Sequence, residues 1–351
     1  MRRSALTVSV VALVALVALV ALSGCLPMRY VTQAAAGQEE LNRRGIAIRE
    51  LVEGNHLDRR TRELLAHVPR IKAFGERQGL ARTRNYERYV WLGRPAVVWV
   101  VSACDPLRFR PKTWKFPIVG SITYTGWFDR DEAKRYAAEL AAQGWDVDVR
   151  PSGAYSTLGY FDDPIVSTMI APGDDALGEL ADVVLHETLH ATFYVPGQST
   201  LNESVASFVG DELAARYLDE AVGPDAPEKA TFLAGRARRE ARGKVMRAAY
   251  DELAALYASK RPRADKLAEK ARITSALRAE LAIRRPVTNA SLIQYKTYGS
   301  GKAELAALFE ACGRSFPRFM TRLEALRLLA RRARPHRDPG ELLAPLVAGG
   351  C

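Results

Sequence analysis

Residues 185–204, L-H-E-T-L-H-A-T-F-Y-V-P-G-Q-S-T-L-N-E-S, constrain the fold of this chain more than any other stretch. On a helix, His186 and His190 are four residues apart and stand on one face, one turn from each other. Glu187 falls beside them. The surrounding V-V-L-H-E-T-L-H-A-T-F has no charge other than Glu187, and Val183, Leu185 and Leu189 give the helix a face for a core. Burying two imidazoles and a carboxylate there costs roughly several kcal/mol unless something compensates them. A metal ion supplies that compensation.

Pro196-Gly197 ends this helix, and Ser199 or Thr200 can cap a second one that begins L-N-E-S-V-A-S. Two antiparallel helices joined by a short loop return Glu203 towards the histidines. His186, His190 and Glu203 are therefore candidate ligands of one Zn2+, with Glu187 as general base and then acid for hydrolysis. Asn-Glu-x-x-Ala at 202–206 is similar to the third-ligand helix of gluzincin peptidases, although only twelve residues separate His190 from Glu203. Asp211 and Glu212 lie further along the same helix and compete for the third place. Ser207, one turn after Glu203, is a local candidate for orienting a ligand.

The chain begins Met1-Arg2-Arg3, runs apolar from Ala5 to Leu22 and reaches Leu22-Ser23-Gly24-Cys25. A basic start, a greasy run and a small-residue site make a secretory signal, and Ser-Gly-Cys resembles a bacterial lipobox. Cleavage there would leave residues 1–24 as signal peptide and Cys25 as a lipidated N-terminus. An uncleaved anchor is the alternative, since about 20 apolar residues span a bilayer. Either way the body faces the periplasmic side of a cell envelope, and Leu26 after the cysteine favours the outer over the inner membrane. An oxidising compartment permits one disulfide among Cys104, Cys312 and Cys351, without saying which.

The 351 residues carry a formal charge of +11. Sixteen Lys and Arg against seven Asp and Glu fall between Glu228 and Arg285. No nucleic-acid recognition motif accompanies them, so nucleic acid is not expected as a partner. A solvated helical face is the plain reading, and contact with anionic lipid or an acidic polymer the other.

Helical spacing runs from Tyr30 to about Arg84, and strand-like composition from Tyr89 to Ile170 is interrupted by a helix over Asp129–Gln143. After Asp174 the pattern is almost wholly helical. Strands followed by helices predict an α+β fold, in which a mixed or antiparallel sheet region precedes a helical half carrying the histidines. One domain is expected over 25–334, divided at 174/175, with a loose tail over 335–351.

The chain resembles the bacterial "predicted aminopeptidase" lipoproteins over most of its mature length. The resemblance rests on the lipobox, L-G-R-P-A-V-V-W-V, P-K-T-W-K-F-P-I-V-G, A-Y-S-T-L-G-Y-F-D-D-P-I-V-S-T-M, H-E-T-L-H with N-E-S-V-A-S, and T-N-A-S-L-I-Q-Y-K-T-Y. It implies a zincin-like, lipid-anchored metallopeptidase acting on peptides, as an aminopeptidase. The rivals are an endopeptidase, or a non-catalytic envelope lipoprotein with a structural metal and a basic binding surface. Zincins usually pair substrate with a strand before the metal helix, which implies Tyr155 to Met169 as substrate edge. An aminopeptidase needs carboxylates for the α-ammonium group, which implies Asp162 and Asp163 unless they only form an Asp-Asp-Pro turn. Tyr298, or its neighbour Tyr295, is the implied donor to the oxyanion, a packed aromatic being the alternative. Relatives tend to carry a cysteine pair where this chain has Lys115 and Ser121.

Overall fold

A computed structural model describes residues 25–116, 120–155, 162–297, 301–335 and 337–351. The signal segment lies outside the described residues, and no described helix is long and apolar enough to cross a membrane. The chain divides into two compact units, Met1–Arg43 and Arg44–Cys351. Cys25 heads the first described helix, α1 (Cys25–Arg44).

The second unit is α+β, as expected from strands followed by helices. It opens with β1 (Ile46–Ala47), α2 (Ile48–Glu53) and α3 (Arg59–Arg77), whose first turn is capped by the Asp58 carboxylate accepting from Thr61 N–H. β2 (Arg88–Val90) pairs antiparallel with β1 and parallel with β8 (Ile165–Val166), making a small mixed sheet. A second sheet, ordered β6-β3-β7, is antiparallel and built from β3 (Val98–Cys104), β6 (Tyr124–Trp127) and β7 (Asp146–Ser152). Its central strand is buried along almost its whole length, which explains V-W-V-V-S-A-C reading as a continuous apolar run and not an alternating one.

On one face of this sheet lies α4 (Arg130–Ala142), where Trp127 stacks 5.1 Å from Tyr136 and Trp114 Nε1 donates to the Tyr136 hydroxyl at 2.7 Å. A hairpin of β4 (Trp114–Phe116) and β5 (Gly120–Ile122) places Lys115 directly opposite Ser121. Directly paired antiparallel residues bring their Cβ atoms to about 4.5–5.5 Å, so the two side chains are neighbours on one face of the hairpin.

The helical half starts with α5 (Ala176–Thr192) and α6 (Ser199–Ala221), then α7 (Pro227–Ala258) and α8 (Arg263–Glu280). α7 and α8 share a core of Met246, Leu253, Leu256, Ile273 and Leu277, which Val287 and Leu292 complete. α9 (Asn289–Thr297) fastens this pair to the antiparallel sheet: Asn289 N–H donates to Asp146 at 2.6 Å and its side-chain amide to the Asp105 and Pro106 carbonyls. The T-N-A-S stretch is thus a structural clasp.

α10 (Lys302–Ala311), α11 (Phe316–Arg332) and α12 (Pro339–Ala348) close the chain. Phe208 of α6 packs with Phe309 and Phe319 at 5.6–5.8 Å between ring centres. The tail expected to be loose is instead helical over 339–348, because Leu342, Leu343 and Leu346 recur at helical spacing and are buried. Cys351 is joined to Cys312 by a disulfide, and Cys104 is buried and free.

Of the substrate edge expected over Tyr155–Met169, residues 156–161 lie outside the described residues; among the described ones Ile165–Val166 pair as a strand and Ser167–Met169 make a 3-10 turn.

Candidate metal centre

α5 carries His186, Glu187 and His190 on consecutive turns. Val184, Leu185 and Leu189 are buried beside them, so the helix is fixed by its apolar face while the imidazoles point elsewhere. The C-terminal turn is fastened from outside, since Ala81 N–H donates to Thr192 Oγ1 at 2.9 Å. Gly197 has φ of +77°, a left-handed value that ordinary side chains resist, and this turns the chain back into α6.

Neither Ser199 nor Thr200 caps α6, which begins at Ser199 without a side-chain cap. The turn is held instead by Asn202, which is 2% exposed. Its carbonyl oxygen accepts from Val195 N–H and its amide donates to the Val195 carbonyl, both at 2.9 Å. Gln198 donates to the Ala330 and Arg334 carbonyls at 3.2 and 2.8 Å, which anchors the loop to α11 and the segment that follows it. A two-bond ring from Asn202 is how so short a connection presents the next residue, Glu203, towards α5.

Gly210 lets the two helices cross closely. A Cβ there would lie 2.5 Å from Asp182 Oδ1 and 3.1 Å from both the Asp182 carbonyl and His186 Cβ. A side chain at this crossing would displace the Asp182 carboxylate and press on the turn of α5 that carries His186.

The result is one cluster. Glu203 Oε2 is 3.5 Å from His186 Nε2, and Glu203 Oε1 is 3.7 Å from His190 Nε2. One ligand atom from each of the three residues can be chosen so that all lie within 4.8 Å of one another. The imidazole planes are nearly perpendicular, at 82°, with centroids 5.0 Å apart. Four ligands at zinc distances of about 2.0–2.2 Å in a tetrahedron stand roughly 3.3–3.6 Å from each other. The carboxylate already holds nearly that spacing to both imidazoles, so the His-His-Glu group could hold a metal ion and the donor set fits one.

Electrostatics point the same way. Burial disfavours a charged His186, yet Glu203, Glu187 and Asp182 outweigh it and raise its pKa to about 9. Burial likewise opposes ionised Glu203, but His190, His186 and Arg150 hold it down at about 2. The pocket therefore demands positive charge between its side chains. Asp211 and Glu212, the competing third ligands, are committed elsewhere: Arg236 lies 3.5 Å from Asp211 and 2.7 Å from Glu212.

Two charged neighbours and a tyrosine escape sequence reasoning. Asp182, one turn before His186, has its pKa raised to about 7 by burial and then by Asp211, and its charge in turn helps to raise that of His186. Its signal was legible as i, i+4 spacing to His186. Tyr124, at the start of the edge strand β6, is more than a third exposed, and it is the charge of Glu203, then that of Glu187, which drives its phenol pKa up while Arg150 opposes them. Nothing local in the sequence brings β6 and β7 to this group; only the sheet does.

Other expected residues fall differently. Tyr298 lies outside the described residues, and Tyr295 packs against the core shared by α7 and α8. Tyr155 meets Phe128 edge-on at 5.2 Å. Asp162 is half exposed and faces Arg84 at 3.4 Å, while Asp163 is buried with its carbonyl accepting from Tyr86 N–H. Among the remaining histidines, His67 is structural, its Nδ1 sharing a 2.8 Å hydrogen bond with the Tyr217 hydroxyl.

Fold and site together define an α+β protein with a two-helix His-His-Glu group suited to a cation. The family model described as "Putative aminopeptidase" matches residues 29–337, and the chain belongs to that family. No curated protein and no solved structure matches it.

Proposed function

We propose that this chain is a zinc-dependent peptidase that removes residues from the N-terminus of peptides, anchored by lipid at Cys25 on the periplasmic side of a bacterial envelope. The observation that carries the reading is the Glu203 carboxylate facing both imidazoles at 3.5 and 3.7 Å, with Glu187 beside them on the same helix. The fold reads as zincin-like, with His186, His190 and Glu203 as the residues that would hold zinc. Bound there, zinc would supply Lewis acidity, polarising the scissile carbonyl and lowering the pKa of water to about 7.

The chain's own residues do the rest. Glu187 accepts the proton of the attacking water and delivers it to the leaving amine, so no covalent intermediate with the enzyme forms. Asn202 and Gly210 hold α5 and α6 at the separation that keeps Glu203 facing the histidines. Among the described residues the group has three members, which leaves a position open for water or substrate, as catalytic zinc sites require and closed structural sites do not.

Elemental analysis of the purified chain should find about one zinc, and chelation should abolish hydrolysis of peptides with free N-termini. Glu187→Gln should retain the metal while turnover falls about 10²–10⁴-fold. Folded protein with no zinc would overturn the metal reading; efficient cleavage of N-terminally blocked peptides would replace the aminopeptidase by an endopeptidase.

A further inference from the structure

α11 carries apolar residues on a side that the fold does not use. Phe316, Phe319, Met320, Leu323, Leu326 and Ala330 are buried and fix the helix to the body. Leu328 lies two residues from both Leu326 and Ala330, and two residues turn a helix by about 200°, so its side chain leaves on the opposite side. It is 64% exposed, and its neighbour Leu329 is 44% exposed. Single exposed leucines are ordinary, but these two stand side by side on a helix that its buried face already holds.

The charge around them is of one sign. From Arg314 to Arg337 the sequence has eight arginines and one acid, Glu324. Arg314 meets Glu310 at 3.3 Å, Arg337 meets Glu341 at 2.8 Å, and Arg327 takes Glu324. Arg318, Arg331, Arg332 and Arg334 are exposed, and none of them meets a carboxylate among the described residues. Arg331 and Arg332 stand three and four positions after Leu328, which on a helix is the same face.

We propose that the end of α11 is a lipid-docking surface, on which Leu328 and Leu329 enter the interface of an anionic bilayer while Arg318, Arg331, Arg332 and Arg334 meet its phosphates. Leucine beside unanswered arginine is the composition that holds a helix in the plane of such an interface. An acidic polymer would use the arginines and leave the leucines wet. The patch is too small to hold a free protein, so the proposal rests on the reading of Cys25 as a lipid anchor, which keeps the chain beside the membrane at high effective concentration. The docking turn also carries the Ala330 and Arg334 carbonyls that receive Gln198, so the loop between the two metal helices is fastened directly behind the contact. Docking therefore sets the candidate metal centre at a fixed height and angle to the lipid surface.

The test uses the full, processed chain bound to vesicles, with a fluorophore on Thr321→Cys, an exposed position on the face of Leu328. Cys104 is buried and Cys312 and Cys351 are bridged, so they do not compete for the label. The vesicles carry nitroxide-bearing lipid and are made of phosphatidylcholine alone or with an equal part of phosphatidylglycerol. Strong quenching is expected with phosphatidylglycerol, and high salt should release it. Arg331→Gln with Arg332→Gln should lower the docked-to-undocked ratio about twenty-fivefold, at about fivefold for each arginine. Leu328→Ser with Leu329→Ser should lower it by more than about tenfold, with Tm and zinc content unchanged. Equal quenching with and without phosphatidylglycerol would overturn the proposal, as would full quenching in either double variant. A fall in Tm in the leucine variant would overturn it too, by making those side chains part of the fold. A probe silent to vesicles but shifted by soluble polyglutamate would replace the bilayer by an acidic polymer. Intact mass reads the lipid on Cys25 separately. If none is found, the anchor reading fails, and the same probe in a Cys25→Ser chain with excess phosphatidylglycerol vesicles still decides whether α11 docks.

Discussion

The α5–α6 pair and the α7–α8 pair are both charged, and they use charge in opposite ways. In α7–α8 the basic residues are spread over the surface and answered locally. Arg247 meets Asp251 at 3.3 Å and Arg272 meets Glu269 at 2.8 Å. Lys266 donates to the Tyr257 and Ser259 carbonyls, Arg278 to those of Ile283 and Arg284, and Lys270 pairs with Asp146 at 2.5 Å. In α5–α6 a handful of groups are drawn together out of water, and the acids and imidazoles of the pocket call for one more cation. A large count of charges thus describes a solvated, self-satisfied face, whereas a small buried set defines a site.

Removing a member of the buried set should have the largest effect. Glu203→Ala should lose metal by well over the 10–100-fold typical of an outer partner, read as zinc retained after a chelator wash, and hydrolysis should disappear with it. If that variant kept its metal, the contrast between the two regions would collapse. Protons sharpen the same contrast. Metal binding needs neutral imidazole, and His186 in the metal-free site stays protonated below about 9. Zinc affinity should therefore fall about tenfold for each pH unit lowered from 9 towards neutrality, measured by competition with a chelator whose own titration is known. An affinity that did not vary with pH would break the account of the pocket.

Asn202→Ala comes next. It leaves the Val195 N–H and carbonyl buried without partners, so stability should fall by about 1–3 kcal/mol in denaturant unfolding, with faster zinc release as Glu203 loses its mount. Smallest of all, Arg247→Ala on the basic helices should change stability by less than about 0.5 kcal/mol and leave metal content alone. A larger loss there would mean that the basic face is more than a solvated surface.

Much of this was legible along the chain because it depends on local spacing. His186 and His190 are a helical i, i+4 pair, Pro196-Gly197 is a break, and the α7, α8, α10 and α11 patterns are periodic, so their existence follows from short-range rules. Asn202 is part of the Asn-Glu context of Glu203 in the sequence and its mount in the structure. The cap expected from Ser199 or Thr200 is absent because Gln198 and Asn202 satisfy the turn through partners seven and more than a hundred residues away, which no local capping rule contains. Tyr124 is invisible for the same reason: an edge-strand residue comes under the charge of Glu203 only once the sheet and the helices have packed. The C-terminal helix was hidden by its own Pro339, Gly340 and Pro345, which mark a loop in isolation but fit a first turn and a short helix seated on buried leucines.

The anchor of Gln198 on the Ala330 and Arg334 carbonyls also sets an order in time. A growing chain has delivered His186, His190 and Glu203 once residue 203 is made, but the segment that steadies their loop is made about 130 residues later. The cluster can be stocked with side chains early, yet its loop is held only after Arg334 has been added. A chain cut short before residue 330 would carry all three side chains without the support that fixes the turn between their helices.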